Sequence, residues 1–324
     1  MPDIVTIGEA LIDFLSIDAN VSLENTTGFT IAPGGAPANV AAAVSRLGES
    51  SGFIGKVGDD SFGRKIKNTL EEAGVDTENL IIDRNVNTTL AFIAIDENKK
   101  PDYNFYRNHC GADLALRYDE IEEGYIFDSK IFHFGSLSFT GEPLRSATLR
   151  SIEVARGSNK LISFDPNLRP SLWENLDDAK AEIINGLQYA DIVKLTDEEL
   201  VFITETPSIT KGTDILLKYG PRAVIVTRGP KSCFYNNGDI FVELPSFTVK
   251  AVDTTGGGDA FVGGILVKFL GRIKDEKTLF SLEKEEIEDI LKFAQACGAI
   301  TVTRKGVIPA LPTRDEVLKF LEKT

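Results

Sequence analysis

Short apolar runs alternate with segments of helical periodicity along most of the chain, and this alternation most constrains its fold. The apolar runs rich in β-branched residues predict buried strands at 4–8, 51–57, 130–134, 161–165, 192–195 and 223–227. The segments with apolar residues at helical spacing predict helices at 36–47, 61–73, 143–156, 177–187 and 197–203. Strands that are apolar on both faces and separated by helices form a parallel sheet covered by helices on both sides.

Two stretches, at about 10–33 and 86–110, do not follow this alternation. They contain amphipathic strand-like segments, and the second includes the polar turn Glu97-Asn98-Lys99-Lys100. We therefore expect a small β-sheet attached to the α/β body. The chain contains no linker, low-complexity tract or repeat, so residues 1–324 are expected to form one domain.

Charge and cysteine content exclude several classes of function. The formal net charge is −14, so the chain lacks the basic surface that binds nucleic acid or an anionic membrane. Its three cysteines are scattered and form no CxxC pair, which argues against disulfides and structural zinc and favours a reducing compartment. The first residues lack a basic n-region and no apolar run could span a membrane, so we expect a cytoplasmic protein.

Three consecutive glycines, Gly256, Gly257 and Gly258, are followed directly by Asp259 and an apolar helical run over 260–270. Backbone N–H groups at a helix N-terminus bind anions, and the helix dipole favours negative charge there. A carboxylate at this place would repel an anion, so its presence is explained if it is a base that takes a proton from a hydroxyl attacking a phosphate. The alternative is a tight strand-to-helix turn with an Asp at the helix start.

A second glycine pair, Gly34-Gly35, opens the predicted helix that carries Asn39 in its first turn. An amide both donates and accepts hydrogen bonds, as sugar hydroxyls do, so Asn39 is a candidate sugar ligand. Asp13 follows the first strand, and ligands of open α/β sheets gather at strand ends. Helix capping by Asn39 and a simple loop acid at Asp13 are the structural alternatives.

Residues 253–261, and residues 34–41 followed by 55–63, resemble the two signatures of the PfkB family of sugar kinases. They stand about 220 residues apart and in the family's order, with Gly257 where the family usually has Ala. The resemblance implies a ribokinase-like α/β fold, a three-layer sandwich with a mostly parallel central sheet and a small β-sheet lid. It also implies ATP as co-substrate, magnesium as cofactor and Asp259 as the base.

Three further segments, 8–14, 105–113 and 164–173, resemble the fructokinase branch of this family. This resemblance implies ATP-dependent phosphorylation of D-fructose to fructose 6-phosphate. Asp13, Gly34, Gly35 and Asn39 would hold the sugar, and Arg107 and Arg169 are candidate contacts that could instead be surface ion pairs. Kinases acting on 2-keto-3-deoxygluconate, another sugar or a nucleoside remain alternatives, as does a non-catalytic sugar-binding regulator.

The resemblance also implies the residues that hold ATP. These are Asn167, Thr227, Gly229, Gly256 and Gly258. Asp165 is a candidate for metal or phosphate, although Asp-Pro-Asn is also common in turns. The chain has no GxxxxGK[ST] sequence, which excludes a P-loop enzyme.

Ion sites and partners are implied in the same way. Glu199 would hold magnesium through water, although Thr196 stands where the family has Asn. A potassium site would involve Asp253, Thr255, Thr301, Arg304 and Gly306, and Ala310 replaces a serine of ribokinase. Because lids of this family often pair, a homodimer through the lid is also expected.

Overall fold

The computed structural model describes residues 1–97, 101–107, 111–273 and 280–323. Its strands, in chain order, are β1 (Ile4–Ile7), β2 (Leu11–Ser16), β3 (Phe29–Gly34), β4 (Ser51–Gly58), β5 (Leu80–Asp83), β6 (Leu90–Ile95), β7 (Pro101–Tyr106), β8 (Ile131–Gly135), β9 (Leu161–Asp165), β10 (Ile192–Thr196), β11 (Ala223–Thr227), β12 (Ser232–Asn236) and β13 (Phe241–Pro245). The α-helices are α1 (Ala36–Arg46), α2 (Ser61–Glu72), α3 (Glu123–Phe127), α4 (Leu144–Gly157), α5 (Leu176–Leu187), α6 (Asp197–Thr204), α7 (Ile209–Leu217), α8 (Gly257–Leu270), α9 (Lys284–Val302) and α10 (Arg314–Leu321).

Nine strands form the central sheet, in the order β13-β12-β11-β10-β9-β8-β1-β4-β5. Neighbouring strands run parallel from β11 to β5, whereas β12 is antiparallel to both β11 and β13. The predicted mostly parallel sheet is therefore confirmed. All six predicted strands of the body are present, and their ends differ from the prediction by one residue at most.

Two hydrophobic clusters lie on opposite faces of this sheet. Successive strand residues point to opposite faces, so Ile192 packs in one cluster and Val193 in the other. The first cluster is covered by α1, α2, α8, α9 and α10, and the second by α3, α4, α5, α6 and α7. This arrangement confirms the predicted three-layer sandwich. Within the described residues, none of the helices combines the length and apolar character needed to cross a membrane.

A separate four-stranded sheet, in the order β3-β2-β6-β7, forms the lid. Its strands β2 and β3 lie within the first predicted lid stretch or one residue beyond it, and β6 and β7 lie within the second. Residues 98–100 and 108–110 of that second stretch, which include Cys110, lie outside the described residues. The central pair β2–β6 is parallel, and both outer pairs are antiparallel.

Helices α1 and α8 approach each other closely because both present small residues at the contact. A Cβ atom placed on Gly263 would lie 2.6 Å from the Cβ atom of Ala43. Asn39 and Asp259 each precede these residues by four positions, which is about one helical turn. The close contact therefore holds Asn39 and Asp259 at the same level of the two helices.

We predict that Gly263→Ala destabilises the fold by about 1–3 kcal/mol, because the new methyl group has no room beside Ala43. Urea unfolding monitored by circular dichroism measures the change. Gly157→Ala is the matched control, since a Cβ atom at this helical glycine meets no atom within 4 Å. Equal unfolding free energies for the two variants would contradict the proposed close packing.

Candidate active site

The candidate site lies where the two glycine-led helices begin, beside the carboxyl ends of the central strands. Asp165 ends β9, and Lys194 lies near the end of β10. Asn39 is in the first turn of α1 and Asp259 in the first turn of α8. Open α/β sheets bind ligands in the crevice at the carboxyl ends of their strands, and these residues share that place.

Asp259 and Asn39 form a buried pair that joins the two helices. The Nδ2 of Asn39 donates a hydrogen bond of 2.8 Å to Oδ2 of Asp259, and the two residues are 8% and 4% exposed. Burial raises the pKa of Asp259 to about 6, and the Asn39 hydrogen bond opposes that rise. A carboxylate with such a pKa accepts a proton more readily than an exposed Asp, yet is ionised at neutral pH.

The glycine run brings backbone N–H groups beside this carboxylate, of which that of Gly257 donates to the Thr254 carbonyl at 3.4 Å. Helix α8 begins at Gly257, and Gly256 precedes it with a φ of +76°, which favours glycine. The first N–H groups of a helix have no partner within the helix, so they can bind an anion there. The start of α8 therefore places backbone N–H groups beside Asp259, and the anion site expected there stays a prediction.

Lys194 is a charged site residue that the sequence analysis missed. Its Nζ donates a hydrogen bond of 3.0 Å to Oδ2 of Asp165, and a Cβ atom on Gly258 would lie 3.2 Å from the same Nζ. Burial lowers the pKa of Lys194, but the charges of Asp165, Glu199 and Asp259 outweigh burial and raise it overall. The available signal was a single lysine within the apolar run of β10.

Asp13 and Gly34 lie together on the lid side of the site. Asp13 is in the middle of β2 and is 7% exposed, and a Cβ atom on Gly34 would lie 2.3 Å from its Oδ2. Burial raises the pKa of Asp13 to about 7, whereas the charge of Arg169 lowers it. Strand β2 thus brings a second buried carboxylate to the site from the lid.

Arg169 is the cation that acts on both carboxylates. Its charge lowers the pKa of Asp13 on the lid and that of Asp259 on α8, although burial dominates both shifts. Its Nη1 donates a hydrogen bond of 2.5 Å to Oδ1 of Asn167. Asn167 has a φ of +45°, in the left-handed region. Asn167 therefore contacts Arg169 directly, and its predicted contact with ATP stays a prediction.

Arg107 is held mainly by protein atoms. It is 4% exposed, its Nε donates to Asp113 at 2.6 Å, and its Nη2 donates to the Leu137 carbonyl at 3.0 Å. Its Nη1 donates to Thr140 Oγ1 at 2.5 Å. Three of the five guanidinium N–H groups are thus engaged. Arg107 ties the end of lid strand β7 to the body, and a sugar contact through the remaining N–H groups stays a prediction.

Three of the predicted nucleotide and magnesium residues, Thr227, Gly229 and Glu199, lie at or after the ends of β10 and β11. Thr227 ends β11, and Gly229 has a φ of +52° in the turn that follows. Glu199 accepts hydrogen bonds of 2.7 Å from the N–H groups of Leu168 and Thr196. Burial and the charge of Asp165 raise the pKa of Glu199. Among the described side chains, Oδ1 of Asp165 is buried and has no hydrogen-bond partner, so it could accept a water of a bound metal.

Asp253 joins the two segments of the predicted potassium site. Its Oδ1 accepts from the N–H of Thr255 at 3.0 Å, and its Oδ2 accepts from the N–H of Gly306 at 3.1 Å. Thr301 is buried, and its carbonyl accepts from the N–H of Arg304 at 3.1 Å. These hydrogen bonds bring the Asp253 carboxylate to the 301–306 segment, and potassium binding there stays a prediction.

The comparison with known families identifies the chain as a kinase of carbohydrates. The sequence profile of the family described as "pfkB family carbohydrate kinase" matches residues 1–314. The chain belongs to the pfkB family of carbohydrate kinases. It is 45% identical over 323 residues to Fructokinase-1 of Zea mays, covering 99% of this chain and 98% of that protein.

Solved fructokinase structures share the whole fold. The fructokinase of Xylella fastidiosa with bound ATP has a TM-score of 0.91 and 34% identity, covering 100% of this chain and 99% of that one. A double mutant of the Vibrio cholerae O395 fructokinase, with fructose, ADP and potassium bound, has a TM-score of 0.86 and 32% identity. That comparison covers 98% of each chain. The expected ribokinase-like architecture of a pfkB kinase is therefore confirmed.

We predict that the Asp259 carboxyl titrates near pH 6 and that Asn39→Ala moves this midpoint upward. The Asn39 amide stabilises the charged carboxylate, so its loss favours the protonated form. NMR of ¹³C-labelled aspartate measures both midpoints. Asp18 serves as the internal control, because it is remote from Asn39 and its hydrogen bonds from Thr27 hold its pKa below the ordinary value. An unchanged Asp259 midpoint in Asn39→Ala would contradict the assigned pair.

Proposed function

We propose that this chain transfers the γ-phosphoryl group of ATP to the C6 hydroxyl of D-fructose, giving fructose 6-phosphate and ADP. The observation that carries the proposal is the buried Asn39–Asp259 pair at the glycine-led start of α8. Sequence similarity to fructokinases over nearly the whole chain supports the choice of sugar. The fructose and ADP bound to the Vibrio cholerae relative support it as well.

In the proposed mechanism, Asp259 takes the proton of the C6 hydroxyl while the hydroxyl oxygen attacks the γ-phosphorus. A new oxygen–phosphorus bond forms, the bond between the γ-phosphorus and its bridging oxygen breaks, and that electron pair leaves with ADP. General-base assistance of this kind contributes roughly 10²–10⁴-fold to the rate. The N–H groups of Gly256, Gly257 and Gly258 hold the negative charge of the transferred group.

Lys194 adds a fixed positive charge to this anion site. Its ammonium lies beside Gly258 and is held by Asp165, so it needs no rearrangement when the phosphoryl group arrives. Fixed charges of this kind stabilise phosphoryl transfer because catalysis there rests on positioning and electrostatics. Thr227, Gly229 and Asn167 remain the proposed contacts to ATP.

The oxygen groups at the site are suited to the expected ions. Glu199 and Asp165 would hold the waters of magnesium, which neutralises phosphate charge when bound. Potassium is the ion bound to one Vibrio cholerae structure. In this chain it would be held by Asp253, Thr255, Thr301, Arg304 and Gly306. We expect Asp13, Gly34, Gly35 and Asn39 to bind sugar hydroxyls under the lid, which excludes water during transfer.

Pairing of lids into a homodimer remains part of the proposal. Large apolar side chains on the lid strands are exposed to solvent, among them Ile31 and Ile95, at 45% and 46% exposure. Exposed apolar surface of this kind is typical of protein interfaces. Analytical ultracentrifugation of the wild type and of Ile95→Lys tests the pairing.

The proposed function is tested by measuring ADP release with fructose, ribose, 2-keto-3-deoxygluconate and adenosine as acceptors. Fructose should give the highest kcat/KM, and ³¹P NMR should show the product phosphorylated at C6. A preference for 2-keto-3-deoxygluconate would instead assign Arg107 or Arg169 to a substrate carboxylate. Sugar binding without ADP release would indicate a non-catalytic regulator.

We predict that Asp259→Asn lowers kcat by at least ~10²-fold, as expected for loss of a general base. The fructose affinity measured by calorimetry should stay nearly unchanged. Turnover at the wild-type rate would contradict the assignment of the base.

The same substitution should stabilise the fold above pH 6. The folded-state pKa of Asp259 is raised from 3.8 to about 6, so ionising it costs folding free energy as the pH rises through this interval. The neutral amide of Asn removes this cost. Urea unfolding of both proteins at pH 5 and pH 8 measures the difference, which should be larger at pH 8.

We predict that Lys194→Gln lowers kcat by roughly 10²-fold, the loss typical of one group that stabilises transition-state charge, and raises the KM for ATP. The KM for fructose should change little. Lys56→Gln is the matched control, because Lys56 is also buried and bonds Asp83 and Glu120 away from α8. Initial-rate kinetics of both variants measure kcat and the KM values for ATP and fructose. If Lys56→Gln changes kcat and the KM for ATP as much as Lys194→Gln does, the effect of Lys194→Gln comes from general destabilisation.

A further inference from the structure

Glu9 caps helix α1 from a different part of the chain. It lies between β1 and β2, where the chain passes from the central sheet to the lid, and it is 2% exposed. Its Oε1 accepts a hydrogen bond of 2.9 Å from the N–H of Ala36, the first residue of α1. The residue at the N-cap of this helix is Gly35, which has no side chain to make such a bond.

The backbone explains why the cap must come from elsewhere. Gly35 has a φ of +108°, and a Cβ atom there would lie 2.3 Å from the carbonyl oxygen of Glu9. No capping side chain, such as Ser or Asn, can therefore occupy position 35. Glu9 contacts the same turn through its carboxylate and through its main chain, so it fixes the turn at two points.

A short series of hydrogen bonds leads from this cap to the proposed base. The N–H of Asn39 donates to the carbonyl of Gly35 at 2.8 Å, which is the first backbone bond of α1. The side chain of Asn39 then donates to Asp259 at 2.8 Å. The start of α1 and the amide that holds Asp259 are thus joined by hydrogen bonds within one helical turn.

The chemistry of Glu9 is unusual for a residue that only caps a helix. Burial raises its pKa to about 7, and the nearby charge of Arg107 lowers it. Its Oε2 is buried without a hydrogen-bond partner among the described atoms. A buried carboxylate with a free oxygen is costly to the fold, and Glu9 bears this cost at the junction between the central sheet and the lid.

We propose that Glu9 is a positioning residue for phosphoryl transfer, which fixes the start of α1 and thereby the Asn39 amide that orients Asp259. The inference rests on the proposed role of Asp259 as base. Glu9 also lies just before β2, the lid strand that carries Asp13. It therefore links this strand to α1, the helix that carries Asn39. Glu9 itself touches no reacting atom in this proposal.

A double-mutant cycle tests the proposal. We expect Glu9→Ala to lower kcat by roughly 10–100-fold, since misplacement of a reacting group by about 1 Å can cost 10²-fold. The KM for ATP should change less than twofold. In the Asn39→Ala background, adding Glu9→Ala should have almost no further effect on kcat, because its route to Asp259 is already lost.

The conservative variant Glu9→Gln should recover most of the kcat lost in Glu9→Ala, because the amide oxygen can still accept the Ala36 N–H. Asn175→Ala is the matched control, since it removes an exposed side-chain N-cap bond of 2.8 Å at the start of α5, a helix that carries none of the residues of the cycle. It should lower stability without changing kcat. If Glu9→Ala fails to fold, Glu9→Asp, which is one methylene too short to reach Ala36, replaces it in the cycle.

Three results would overturn the proposal. They are a wild-type kcat in Glu9→Ala, multiplicative losses of Glu9→Ala and Asn39→Ala, and a Glu9→Gln variant as impaired as Glu9→Ala. Wild type and Asp259→Asn are assayed in parallel. If the wild type phosphorylates fructose and Asp259→Asn does not, the proposed function stands whatever the cycle shows about Glu9.

Discussion

The hydrogen bond between Asn39 and Asp259 is the interaction on which the arrangement of this site depends. It joins the first turns of α1 and α8, and the close contact of Ala43 with Gly263 keeps these turns level. Both helices begin at glycine turns, so helix N-termini and polar side chains meet at one place. The packing of two apolar helices thus sets the geometry of a polar site.

Charge balance decides what this geometry can do. Asp13, Asp165, Glu199 and Asp259 are all buried near one another, and the cations among them are Lys194 and Arg169. Burial raises the pKa of Asp13 and Asp259, whereas the Arg169 charge and the Asn39 amide keep Asp259 from becoming a permanently neutral acid. A carboxyl group with a pKa of about 6 can take up a proton and release it again within a catalytic cycle. The excess of carboxylates also explains why ATP would need metal ions and backbone N–H groups for binding.

The fold could be predicted, and Asn39 and Asp259 could be named as the centre of the candidate site, because both rest on contiguous segments of the sequence. Alternating apolar runs indicated the sheet, and the glycine motifs indicated Asn39 and Asp259. Lys194 was missed because one lysine within β10 forms no motif, and its partners Asp165 and Gly258 come from distant segments. The partners of Arg107 are likewise set by tertiary packing. The hairpin β12–β13 was also not predicted, although Asn237-Gly238 between its strands is a typical turn sequence.

The 220-residue separation of Asn39 and Asp259 also governs when the site can form. At about 5–20 residues per second, a ribosome needs roughly 10–40 s to travel from one residue to the other. Strands β1 to β3 precede this interval and β6 and β7 are made early in it, but the apolar face of α1 still lacks α8. A nascent chain of this protein therefore exposes that surface to chaperones, and Asn39 has no Asp259 to bind until the glycine run and the start of α8 have been made.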